Sequence, residues 1–261
     1  MEIQDKVIVV TGAASGIGKA LALRFKAEGA REIVSVDLDE AGAEATAAEV
    51  GGIAMRADVG VEADVAKVIE ETEADVGPID LFCSNAGVAL GADLDAPNSE
   101  WGTSWAVNVM SHVYASRHVV PRMIARGGGY FLITASAAGL LNQIGLAAYG
   151  VTKHAAVGFG EWLAITHGHE GIGVSLLCPQ AVRTAMTANT SRATSAAAGD
   201  GMMEPEVLAD FVMEGLREEK FLILPHAEVL EYMRRKTGDY DRWISGMNRL
   251  MQRLTDVEQG Q

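Results

Sequence analysis

The sequence predicts an α/β domain built on a doubly wound parallel sheet of about seven strands. Three observations carry that reading. Short β-branched runs alternate with helical stretches of ten or more residues along most of the chain. A Gly/Ala/Ser turn sits directly between the first such run and the first helix. A chain of 261 residues, 49% hydrophobic, is long enough to bury a full core on both faces of a sheet.

The elements follow in order. Residues 6–11 form an apolar strand, and 16–28 a helix whose inner face is set by Ile17, Ala20, Leu21 and Leu23 at helical spacing. Residues 32–37 read as the second strand, 40–50 as an Ala-rich helix, 52–57 as the third strand, 62–75 as the third helix and 79–84 as the fourth strand. A single long helical stretch covers 100–126, followed by a strand at 129–135, a helix at 147–167 and a sixth strand at 174–178 that Pro179 ends. Residues 184–203, rich in Ala, Ser, Thr and Gly and without periodicity, read as a mobile lid. A helix at 206–219 and a strand at 221–224 complete a domain spanning 1–225. Parallel strands joined through helices imply right-handed crossovers. The remainder, 226–261, is a helical extension with an apolar stripe at Trp243, Met247, Leu250, Met251 and Leu254, among basic residues Arg234, Arg235, Lys236, Arg242, Arg249 and Arg253.

Charge narrows the partners. Lys and Arg number 21 against 35 Asp and Glu, a formal charge of -14, so a phosphate backbone or an anionic membrane is repelled overall. The acidic residues Asp239, Asp241, Asp256 and Glu258 likewise argue against the extension as a nucleic-acid arm or membrane anchor, and favour a helix packed on the body or on a partner subunit, over a substrate cleft. No apolar run reaches the length of a membrane span, and Met1 to Lys6 runs straight into a strand, which reads as cytoplasmic. Cys83 and Cys178 each end an apolar run and read as buried reduced thiols. His167 and His169 are two apart near a helix end with no third ligand, so no metal site is expected.

The turn from Thr11 to Gly18 supplies small residues where a backbone must approach a pyrophosphate at a helix N-terminus. Asp37, about twenty positions on at the end of the second strand, can accept both ribose hydroxyls and repels a 2′-phosphate. No cation follows it, and Lys19 is expected to point outward, so NAD is favoured over NADP. Further along, Tyr149 and Lys153 are four apart on a helix and share a face. An ammonium fixed beside a phenol favours the phenolate and brings it toward acid–base work near neutrality.

Taken in order, Thr11-Gly12-x-x-x-Gly16-x-Gly18, Asp58, Asn85-Ala86-Gly87, Asn108, Ser136 and Tyr149-x-x-x-Lys153 resemble the short-chain dehydrogenase/reductase family, along the chain to about Leu224. The resemblance implies a Rossmann-type fold and hydride transfer between a secondary alcohol or ketone and NAD. It implies Tyr149 as general acid and base, Ser136 as donor to the reacting oxygen, Lys153 as the cation that tunes Tyr149 and bonds the nicotinamide ribose, and Asn108 as holder of a water leading to solvent. Cofactor contacts are implied for Gly12, Ser15, Gly16, Ile17, Gly18, Asp37, Leu38, Asp58, Val59, Asn85, Ala86, Gly87, Tyr149, Lys153, Pro179, Val182 and Thr184. A homotetramer is the implied assembly, a dimer being the alternative, with Trp101, Met110, His154 and Phe159 at interfaces or in the core, while Trp101 and Trp105 read as packing residues.

The family usually has Pro-Gly-x-Val-x-Thr after the sixth strand, where this chain has Gln180 in place of Gly. Gln180 is therefore expected to shape substrate choice. Val88, Ala89, Ala138, Leu141, Gln143, Gln180, Met186 and Met202 are the expected pocket lining, mostly apolar and without an Arg or Lys clamp, which favours a neutral, hydrophobic substrate. Steroid, cis-diol and carbinol substrates all remain open, as do alcohol dehydrogenase, carbonyl reductase and cis-dihydrodiol dehydrogenase activities. A non-catalytic NAD sensor or scaffold is the alternative, disfavoured because a sensor has no use for a tuned phenol.

Overall fold

The computed structural model describes residues 1–188 and 191–259. Seven parallel strands lie in one sheet, β1 (Val7–Thr11), β2 (Glu32–Asp37), β3 (Ile53–Arg56), β4 (Leu81–Ser84), β5 (Gly129–Thr134), β6 (Ile172–Leu177) and β7 (Leu222–Ile223), in the spatial order β3-β2-β1-β4-β5-β6-β7. The direction of winding reverses between β1 and β4, and the crevice beyond their C-terminal ends is where such sheets hold ligands.

Alternate strand residues feed two opposite cores. On one face Val9, Phe82, Phe131 and Leu176 pack with α3 (Glu62–Asp75), α5 (Ser111–Ala125) and α7 (Ala147–His167). On the other, Ile8, Leu81, Leu132 and Leu177 pack with α1 (Gly16–Ala27), α2 (Glu40–Val50) and α9 (Pro205–Arg217) through Leu21, Phe25, Val50, Leu208 and Val212. Phe82 and Phe131 stack on neighbouring strands at 5.5 Å. Each such side chain, fully buried, contributes about 1.5–3 kcal/mol relative to leaving it in water. Local signals mark the ends: Asp39 caps α2 by accepting from the Gly42 N–H at 3.2 Å, and Gly51 closes it in the left-handed region at φ 62°.

The long helix expected over 100–126 is interrupted. It forms α4 (Asn98–Trp105), a π-helical turn at Ala106–Met110, and α5. Apolar periodicity does not register a single π-turn, which here arises from contacts distant in sequence. The segment at 184–203 also carries more structure than its composition suggests. It contains a short helix, α8 (Arg192–Ala197), with Ser191 accepting from the Thr194 N–H at 3.1 Å, and positions 189 and 190 lie outside the described residues. A four-residue helix, α6 (Ala138–Leu141), follows β5.

After β7, α10 (Glu228–Gly238) and α11 (Tyr240–Gln259) turn back over the C-terminal ends of the strands, where α11 packs on α8 and α10. Positions 260 and 261 lie outside the described residues. Lys236 Nζ secures α10 by donating to the Leu140 carbonyl at 2.7 Å. No helix among the described residues is long and apolar enough to cross a membrane. Trp105, Val151, Trp162 and Ile165 leave apolar surface exposed on α4 and α7.

Candidate active site

The glycine turn and the loop after β4 interlock. Thr11 Oγ1 donates to the Cys83 carbonyl and accepts the N–H groups of Asn85 (2.9 Å) and Ala86 (3.1 Å), while Asn85 Nδ2 donates to the Thr11 carbonyl at 2.9 Å. This closeness explains two of the glycines. Gly12 sits at φ +69° with the Ala86 backbone 2.9 Å from where a Cβ would lie, and a Cβ on Gly18 would fall 2.0 Å from the Gly12 carbonyl oxygen. Ser15 occupies the N-cap position of α1 without using its side chain as a cap, so hydroxyl and helix N–H groups are left for an anion. Asp37 Oδ2 accepts the Ala14 N–H at 2.9 Å, which ties the end of β2 to the turn. Asn85 Oδ1 and Thr134 Oγ1 are buried without a hydrogen-bond partner. This glycine cradle, the free helix terminus and these spare polar atoms fit a dinucleotide.

A second group lies beyond β5 and β6. Ser136 Oγ accepts the Ala138 N–H at 3.0 Å and donates to the Pro179 carbonyl at 3.4 Å, and its hydroxyl acts on the Tyr149 phenol to hold it down. One turn further along α7, Lys153 is buried, its Nζ donating to the Thr134 carbonyl at 2.9 Å and lying over the Tyr149 ring, 5.7 Å from its centre. Burial brings the Lys153 ammonium down to about 8. The phenol departs from the expected direction: burial pushes Tyr149 up, and it is Ser136 that opposes the rise. The cause is burial, which disfavours the charged phenolate.

Asn108 stands at the centre of the π-turn, fully buried. Its Oδ1 accepts the Val88 N–H at 2.8 Å, and its Nδ2 donates to the Val88 carbonyl at 2.9 Å and to Thr152 Oγ1 at 3.1 Å. One residue of this neighbourhood has no sequence signal. His112 is completely buried, its Nδ1 2.6 Å from Ser84 Oγ and its Nε2 without a partner, and burial with the Lys153 charge lowers it to about 3. A lone His among apolar helical positions reads as core, and only the fold brings it near Lys153. Cys83 and Cys178 are free and buried, the Cys178 thiol pushed up to about 12 by burial. Among the described residues no group of side chains could hold a metal, and His167 is instead paired with Glu170 at 2.5 Å.

Both groups open into one cavity of about 1080 Å³. Gly12, Ser15, Gly16, Ile17, Gly18, Asp37, Leu38, Asp58, Val59, Asn85, Ala86 and Gly87 line one part of it, with Pro179, Val182 and Thr184 also on its wall. Ser136, Tyr149 and Lys153 line it as well, whereas Asn108 reaches it only through Val88. Of the expected pocket residues, Val88, Ala89, Ala138, Leu141, Gln143, Gln180 and Met186 are on the wall and Met202 is not. The sequence reading did not foresee Ile144, Asp200 or Tyr232 there. Trp243, Met247 and Leu250 of α11 complete the lining, so the apolar stripe of the extension faces the cavity.

The family model for short chain dehydrogenase matches residues 6–195. The chain belongs to the short-chain dehydrogenase/reductase family. This dehydrogenase is 34% identical over 255 residues to the 1-deoxy-11-beta-hydroxypentalenate dehydrogenase of Streptomyces exfoliatus, covering 94% of the present chain and 92% of the relative. It is 34% identical over 190 residues to the meso-2,3-butanediol dehydrogenase of Serratia marcescens, covering 72% and 75% of the two chains. Among solved structures, a short-chain dehydrogenase/reductase from Burkholderia phymatum in complex with NAD superposes with a TM-score of 0.84 at 29% identity, over 92% of this chain and 96% of that one. The family match stops within α8, so the α10–α11 extension lies beyond it.

Proposed function

We propose that this short-chain dehydrogenase moves a hydride between NAD and a neutral, mainly apolar secondary alcohol or ketone. The observation that carries the reading is the joining of two chemistries in one cavity: the dinucleotide cradle and the group of Ser136, Tyr149 and Lys153, the ammonium lying over the phenol ring. The names of the relatives, a hydroxypentalenate and a butanediol dehydrogenase, support oxidation at a hydroxyl-bearing carbon.

The cradle residues from Gly12 to Gly18 would hold the pyrophosphate, Asp37 the adenosine ribose, and Val182 and Thr184 the nicotinamide end. When bound, the nicotinamide accepts or supplies the hydride. Tyr149 takes the proton of the alcohol in oxidation and returns it to the oxygen in reduction. Ser136 donates to that same oxygen and keeps it in line. The phenol is raised by burial, so its use as a base depends on a cation, and Lys153 is the one within reach. Asn108, through Val88 and Thr152, fixes the loop after β4 against α7 and so sets the distance between cradle and acid–base pair.

Preference for NAD rests on Asp37 and on the company it lacks. Lys19 is drawn away into an ion pair with Glu49 at 2.6 Å, and Arg56, beside Asp37 in the β2–β3 register, does not line the cavity. A 2′-phosphate would meet a carboxylate without a compensating cation. The exposed apolar surface of α4 and α7 supports assembly, and we read the protein as a cytoplasmic homotetramer.

The test is formation of reduced nicotinamide from NAD and from NADP over a panel of neutral secondary alcohols at mildly alkaline pH. Turnover with NAD that is lost in Tyr149→Phe supports the reading. Turnover that survives in Tyr149→Phe refutes the assignment.

A further inference from the structure

Three segments, separate in sequence, meet on the cavity wall: the loop after β6 through Gln180, the stretch after α8 through Asp200, and α10 through Tyr232. Asp200 joins them. Its Oδ1 and Oδ2 accept the Tyr232 hydroxyl at 3.0 and 3.1 Å, and Oδ2 also accepts from Gln180 Nε2 at 3.2 Å. Both donors are neutral. Arg235, the cation nearest this cluster on the wall, is spent on Glu231 at 3.0 Å and on the Tyr232 ring, 5.8 Å from its centre. The Gln180 amide is oriented by giving its Nε2 to Asp200, which leaves Oε1 buried without a partner.

An ionised carboxylate offers about four acceptor positions, and two neutral donors do not saturate it. Asp200 lines the same cavity as Leu141, Ile144, Met247 and Leu250 while remaining exposed to solvent, with no ion-pair partner among the described residues. An anionic substrate would be repelled there, and a wholly apolar one would desolvate the carboxylate without return. A hydroxyl would do neither.

We propose that Asp200, held by Gln180 and Tyr232, is a specificity-determining acceptor for a second hydroxyl on the substrate, remote from the reacting carbinol or ketone. The proposal rests on the dehydrogenase reading above and narrows its substrate class: a neutral molecule with an apolar body, oxidised or reduced at one end and recognised through a hydroxyl at the other. It also gives the Gln180 position its role, since the Gly usual there has no amide with which to orient Asp200.

The experiment uses the full chain and matched pairs of aryl-alkyl secondary carbinols, one member of each pair bearing a further hydroxyl at the far end. Turnover with NAD is followed, and binding is read independently by titration calorimetry. A site built to bond a hydroxyl discriminates strongly against the analogue that lacks it. The hydroxylated members should be favoured by about tenfold or more in kcat/KM and in binding, and Asp200→Ala should erase that preference, with Tyr232→Phe and Gln180→Gly weakening it. Equal handling of both members by the parent overturns the proposal. So does an Asp200→Ala variant that loses both members in the same ratio, because that is the signature of a merely structural tie. Selective binding of the hydroxylated members without turnover of any carbinol supports the Asp200 site and sinks the dehydrogenase reading, so the two failures are told apart.

Discussion

Asn108 and Val88 hold each other twice, the side-chain amide accepting the Val88 N–H at 2.8 Å and donating to the Val88 carbonyl at 2.9 Å. An asparagine thereby completes a backbone that has no strand to pair with. The amide reaches this position from a π-turn, and such turns concentrate where a helix must present a group that regular winding would misplace. Asn108→Ala leaves the partly buried Val88 N–H and carbonyl unmet and should cost about 1–3 kcal/mol of stability. It should also lower kcat more than cofactor affinity, because the cradle residues from Gly12 to Gly18 do not depend on it. Chemical denaturation and steady-state kinetics check both; a stable variant with parent kcat would remove the positioning role.

The acid–base pair makes a sharper prediction. Tyr149→Phe deletes the proton-carrying hydroxyl and little else, so turnover should fall by about 10²–10⁴ or more while NADH still binds within a few-fold of the parent. Ser136→Ala should be milder in rate. It should also move the ascending limb of the kcat/KM profile for alcohol oxidation to higher pH, since Ser136 is the group that opposes the burial-driven rise of the Tyr149 phenol. A Ser136→Ala profile that overlays the parent would show that the hydroxyl does not tune the phenol.

How much of this could be read in the chain depends on the range of the contact that creates each feature. The seven strands, the glycine turn and the Tyr149–Lys153 face are local patterns, and they appear where the sequence places them. Strand limits shift by one or two residues, as at β6, which begins at Ile172 instead of 174. The π-turn was not legible, because the bonds that accompany it join Asn108 to Val88, twenty positions away. The Asp200 cluster was not legible either, because Gln180, Asp200 and Tyr232 lie on three segments and none has a periodic signature. The direction of the Tyr149 shift differs for a related reason: spacing put Lys153 on the right face, but only the fold shows how deeply the phenol is buried, and burial pushes it up.

Cofactor choice turns on one carboxylate. Asp37→Asn removes the charge and keeps one oxygen to accept the Ala14 N–H, so the preference for NAD over NADP should fall by about tenfold, the equivalent of about 1.4 kcal/mol. The ratio of kcat/KM for the two cofactors measures it. An unchanged ratio would place the discrimination elsewhere, with Leu38 and the rim of the cradle next to be tested.

His112 ties stability to pH. Its imidazole is held neutral by burial and by the Lys153 charge, with a folded value of about 3 against an ordinary 6.5. Below pH 6.5 the unfolded chain takes up a proton that the folded chain refuses, so protonation favours unfolding. Stability should therefore fall as pH drops from 6.5 toward 3, by up to about 1.4 kcal/mol per pH unit from this residue alone. His112→Gln, which keeps a polar partner for Ser84 Oγ without a titrating ring, should be flatter over that window even if less stable at pH 7. Urea midpoints of parent and variant at a series of pH values give the difference directly, and parallel curves would mean that the ring protonates in the fold as readily as in the unfolded chain.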